Sequence, residues 1–147
     1  MRIGTAALLT LAVVALAGCG NGRLSHGKYV ERANAICSQY NASVRKLRRP
    51  TTVVEVEAFA RRTGRLYRRA LAELEALRPA KEDEATVATL LATDRRIARD
   101  VDAVEAAAHS RRIPAVRAAT AKVTVDSHRS DSLAKLLGLT DCVARNR

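Results

Sequence analysis

Tryptophan is absent, phenylalanine occurs once and tyrosine three times. Proteins that grip single-stranded nucleic acid set aromatic faces among their basic residues, so this scarcity argues against DNA or RNA as a partner, despite a formal charge of +11. Histidine is also scarce, limited to His26, His109 and His128. Glu105 and His109 are four residues apart, not in the Glu-x-x-His spacing of di-iron bundles, and no second pair supports them. The chain has no Cys-x-x-Cys-His haem signature, no Walker loop and no dinucleotide fingerprint. No metal or cofactor is therefore expected. Asp126, Ser127, His128 and Asp131 include hydrolase residue types, but neighbours on a helix point about 100° apart, which keeps Ser127 and His128 from triad geometry. A solvated helix face accounts for them, and no catalytic residue is expected.

Long apolar runs are missing too. Ala6 to Leu16 is apolar apart from one Thr, and it falls short of the roughly 20 residues a bilayer span requires. Arg2 precedes it, and small residues Ala17 and Gly18 follow, in the order of a signal peptide. The residue after them is Cys19. Leu16-Ala17-Gly18-Cys19 resembles the lipobox of bacterial lipoproteins. That resemblance implies a signal peptide over 1–18, a diacylglyceryl group on Cys19, and a palmitate or similar chain on its new amino group. The alternative is an ordinary secretory signal with a chance cysteine. Two or three acyl chains anchor stably where one does not, since each buried CH₂ contributes about 0.8 kcal/mol. The expected location is the outer face of the cell membrane.

With Cys19 assigned to lipid, an even number of cysteines remains in an oxidising compartment, and a Cys37–Cys142 disulfide is expected. Two buried thiols are the alternative. The bridge would close a loop of roughly 100 residues, for which chain entropy allows about 4.7 kcal/mol at most. "YVERANAIC" at 29–37 and "GLTDC" at 138–142 are similar to the two ends of small exported helical lipoproteins of actinobacteria. That resemblance supports the disulfide and the location and implies no activity.

Residues 19–27 are polar and glycine-rich, and together with the lipidated Cys19 they read as a flexible tether. Residues 28–147 read as one helical domain. Tyr29, Ala33, Ile36, Tyr40, Val44 and Leu47 form one apolar stripe. Pro50 ends that helix, and Thr52 to Glu55 has capping-box spacing for the next. The second stripe is Val56, Phe59, Thr63, Leu66, Tyr67, Ala70, Leu74 and Leu77, stopped by Pro79. Glu82, Asp83 and Glu84 suit the start of a third helix, with Val87, Leu90, Leu91, Ile97, Val101 and Val104 inward. Pro114 suits the first turn of a fourth, with Val116, Val123, Leu133, Leu136 and Leu137 inward. Gly138 is placed for a left-handed cap, with Leu139 beside it. No strand pattern competes. Four helices of roughly 20 to 28 residues with short connections predict an all-α, antiparallel up-down-up-down four-helix bundle with one disulfide.

This order places the Pro50 and Pro114 connections at the end away from the anchor. No Asp or Glu occurs between Arg32 and Val54, a window holding Arg45, Lys46, Arg48 and Arg49. None occurs from Ala106 to Val125, a window holding Arg111 and Arg112. Arg61, Arg65 and Arg68 descend the second helix from the same end. One explanation is an arginine-rich surface set by genome composition, with 21 Arg against 5 Lys. The other is a basic binding surface for an anionic wall polymer, an anionic lipid or an acidic protein.

Asp94 interrupts the third stripe at 90, 94, 97 and 101. Folding brings it level with Thr63 and Tyr67 on one side and Ser127 to Ser130 on the other. Such a polar core either fixes helix register or orients a small ligand. Two functions follow as expectations: non-enzymatic binding through the basic distal end, or a ligand-binding bundle centred on Asp94.

Overall fold

The computed structural model describes residues 22–143. The signal segment, Cys19 and the last four residues lie outside the described residues. Four helices follow one another: α1 (His26–Arg45), α2 (Val53–Glu75), α3 (Glu84–His109) and α4 (Ile113–Leu136). A single 3-10 turn, Lys81–Asp83, leads into α3. Among the described residues there is no strand, and no helix is long and apolar enough to cross a membrane. The chain is the expected four-helix bundle. α3 packs along its length on both α2 and α4, and α1 leans on α2.

The boundaries have local causes. Thr52 Oγ1 accepts the Glu55 N–H, and the Glu55 carboxylate accepts the Thr51 and Thr52 N–H groups, a complete capping box at α2. Pro114 occupies the first turn of α4, where its missing N–H costs nothing. Gly138, at φ 73°, ends α4. The Leu139 N–H reaches Ala134 O at 2.8 Å and the Gly138 N–H reaches Lys135 O at 3.1 Å, a Schellman pair. Leu139 is thereby driven into the core, where it is fully buried.

The apolar stripes face inward with two corrections. Leu136 is 78% exposed, because the inward line of α4 runs through Ala119, Ala134 and Leu137, and position 136 lies a helical step to one side of it. In α2 Leu74 is buried as expected, but the other deepest positions, Ala60, Gly64 and Leu71, lie a residue round from the expected Phe59, Thr63 and Ala70. Gly64 permits this, since a Cβ there would sit 3.2 Å from Val101 of α3.

Residues 23–27, expected to be part of a flexible tether, are bonded to the bundle. The Leu24 N–H bonds Arg78 O at 2.8 Å, Arg23 pairs with Glu84 at 3.1 Å, and Ser25 caps α1. His26 Nδ1 lies 2.8 Å from Asp83. Residues 23–27 therefore belong to the base of the bundle.

Candidate functional site

After Gly138 the chain turns and runs between α4 and α1. Asn34, Cys37 and Asn41 line one face of α1 at steps of three and four. Asn34 Oδ1 accepts the Asp141 N–H at 3.0 Å, and Asn41 Nδ2 donates to Asp141 O at 2.7 Å. Between them Cys37 and Cys142 form the disulfide, with Cα atoms 5.0 Å apart. The covalent bond and two side-chain bonds hold one short segment against α1. Neither asparagine stands out in the sequence; their three- and four-residue spacing from Cys37 is the only signal.

This tail walls one side of a cavity of about 370 Å³ to which all four helices contribute. That volume lies within the usual range for small-molecule sites. Much of its wall is aliphatic, from Val44, Ala70, Leu71, Leu74, Leu90 and Ile97. Tyr40 and Tyr67 meet edge to face, with centroids 5.5 Å apart. The polar part converges on Asp94, which is only 7% exposed. Ser130 Oγ donates to Asp94 Oδ1 at 2.7 Å, and Tyr67 Oη donates to the same atom at 3.0 Å. Oδ2 accepts no hydrogen bond from the described residues.

Burial raises the Asp94 pKa above the ordinary carboxylate value. The two hydroxyl donors oppose this, and the charge of Asp131 adds to it. Tyr67 is held firmly neutral, first by burial, then by the Asp94 charge and hydrogen bond. Tyr29 lies fully buried below, with its pKa pushed up to about 12 by burial and then by the charges of Asp94 and Asp83.

Of the four residues expected in the polar core, the structure joins Asp94 and Ser130 directly. Ser127 lines the same cavity. Thr63 makes no bond to Asp94, and its hydroxyl is buried without a partner among the described residues. Tyr67, one turn further along α2, takes that place. Asp126 is bound by Arg96 at 3.2 Å and His128 is exposed, so the serine-histidine-aspartate residues face different surroundings. Among the described residues no group of three or more His, Cys, Asp or Glu could hold a metal ion.

The basic residues divide into two sets. Arg61 is paired with both Glu57 and Glu105, Arg68 with Asp102, and Arg48 with Glu55 at 3.8 Å. Much of the arginine stripe on α2 is thus compensated. Arg45, Lys46, Arg49, Arg65, Arg111 and Arg112 make no ion pair with a described residue. Most of these sit at or beside the α1–α2 and α3–α4 connections.

No protein-family model matches the chain, and no match was found among curated proteins or solved structures.

Proposed function

We propose that the protein is a non-enzymatic, lipid-anchored module on the outer face of the cell membrane, and that its helical bundle binds a small ligand in the cavity around Asp94. The lipobox resemblance supplies the anchor at Cys19. The observation that carries the ligand site is the convergence of α1, α2, α3, α4 and the disulfide-bonded tail on one cavity with a buried carboxylate in its wall. A buried carboxylate that served packing alone would be a standing cost. The test is fragment mapping by heteronuclear NMR on the purified domain. Fragments should shift the amides of Tyr67, Asp94 and Ser130, and Ser127→Phe, which places a ring in the cavity, should abolish those shifts. Fragments that bind only elsewhere, or equally in the Ser127→Phe variant, would overturn the assignment.

A second reading is favoured by the uncompensated cations at the distal end. They support contact with an anionic polymer, lipid or protein face beyond the anchor, and the two sites are compatible. Such binding should weaken steeply with salt, because released counterions drive it. Arg49→Glu with Arg112→Glu should abolish adsorption to anionic vesicles and leave cavity binding unchanged. Adsorption insensitive to salt would remove the electrostatic reading.

A further inference from the structure

The charge of the cavity lining runs against that of the chain. Lys and Arg outnumber Asp and Glu by 26 to 15, yet the described residues lining the cavity include Asp94, Asp131 and Asp141 and no Lys, Arg or His. Composition alone would favour the opposite. Resting on the ligand-binding reading above, we propose that the cavity selects an organic ammonium ion: a cationic nitrogen set against Asp94 Oδ2, with an apolar body between the aliphatic walls and the Tyr40–Tyr67 pair.

Three features of the site support that class. Oδ1 already accepts from Ser130 and Tyr67, which leaves Oδ2 as the carboxylate oxygen with no hydrogen bond from the described residues. An N–H⁺ donor there would form a charge-assisted bond in a poorly solvated place, where such bonds are strongest. Tyr40 and Tyr67 both line the cavity, and a tyrosine ring face attracts a cation. A bare metal ion fits poorly, because hard cations require several oxygen ligands and this wall is largely aliphatic. A carboxylate or phosphate ligand would meet Asp94 with no basic side chain beside it. Asp131 and Asp141 also line the cavity, but the contact itself requires only Asp94. Its raised pKa is consistent with a carboxylate that lacks its counter-ion, and an incoming ammonium would restore the ionised form.

The test compares three probes of matched shape: phenylbutylammonium, phenylbutanol and phenylbutyrate. Each is titrated into the oxidised protein near neutral pH, with affinity from calorimetry and location from amide shifts at Tyr67, Asp94 and Ser130. The ammonium should bind at least about tenfold more tightly than the alcohol, and the carboxylate should bind most weakly. Asp94→Asn keeps the Oδ1 acceptor and the side-chain volume. It should reduce ammonium affinity by about tenfold or more and change alcohol affinity by less than about twofold. If the alcohol or the carboxylate occupies the cavity as tightly as the ammonium, the cation assignment fails and the ligand-binding reading stands. If none of the three shifts the cavity amides, both fail. A tight ammonium that is indifferent to Asp94→Asn would also overturn the proposal, by showing that the cation sits elsewhere.

Discussion

Ser130 and Asp94 join α4 to α3 through a 2.7 Å hydrogen bond inside the bundle, and Tyr67 reaches the same Asp94 oxygen from α2. Three helices are thus registered on one atom. Because burial raises the Asp94 pKa, the folded chain holds that proton more tightly than the unfolded chain does. The associated stability is complete below the ordinary carboxylate range, about 4, and is lost as pH rises through the folded pKa. Asp94→Asn should lack this loss. Urea midpoints of wild type and variant should diverge as pH rises from about 4 to 7, with the variant at least as stable at the upper end. Tyr67 and Tyr29 stay neutral throughout this window, and Asp131 is common to both proteins, so neither accounts for a difference. A variant that is less stable at neutral pH, with an unchanged slope, would show that Asp94 is ionised and required in that state.

The fold was legible wherever its signals are local. Thr52, Glu55, Pro114 and Gly138 act within one turn of chain, and each does what its chemistry demands. Asp94 was legible as a break in an apolar stripe. Its partners were less so: the stripe on α2 contains both Thr63 and Tyr67, one turn apart on the same face, and the level at which α2 passes Asp94 decides between them. Leu136 was misplaced for a similar reason, since the helix-end pattern permits either 136 or 137 inward and Ala134 selects 137. Asn34 and Asn41 look like solvent-facing residues until the tail crosses them. The cavity has no sequence signature, because a void is set by the spacing of helices rather than by any one residue.

The tail is held by three bonds of different strength. Replacing both Cys37 and Cys142 by Ser should lower stability by about 2–4 kcal/mol, as expected for a bridge closing so long a loop. Asn34→Ala or Asn41→Ala should each cost about 1 kcal/mol and should speed reduction of the disulfide by a small thiol. Urea unfolding in oxidised and reduced protein reads the first effect, and the rate of thiol release reads the second. Equal urea midpoints for wild type and the Cys37, Cys142 double variant would mean that the bridge contributes nothing to the stability of the bundle.

Gly138 and Arg111, both in the left-handed region, offer a matched comparison. Gly138 has φ 73° and open space where a Cβ would stand, so Gly138→Ala tests backbone conformation alone. It should destabilise by about 1 kcal/mol. Arg111, at φ 53° in the α3–α4 connection, has a side chain in that same region. Arg111→Gly should stabilise, by about 0.5–1 kcal/mol, if its side chain makes no compensating contact. Thermal melts of the two variants should shift in opposite directions. A destabilised Arg111→Gly would indicate that the arginine earns its strained backbone through binding or packing at the distal end.

Tyr29 and Thr63 provide the last prediction, because each buries a hydroxyl with no partner among the described residues. A buried hydroxyl that lost its water and gained nothing costs about 1–3 kcal/mol. Tyr29→Phe keeps the ring that fills the core beside Leu139 and Val87 and removes only the oxygen. It should raise stability by about 1 kcal/mol, less whatever the small void costs. Thr63→Val should act in the same direction. The ultraviolet absorbance titration of the tyrosines should also lose a component near pH 12 in Tyr29→Phe, since burial and then the charges of Asp94 and Asp83 push that phenol up to about 12. If Tyr29→Phe instead destabilises by more than about 1 kcal/mol, the hydroxyl has a partner, and a trapped water shared with the Asp94 layer is the arrangement that a polar group so placed would require.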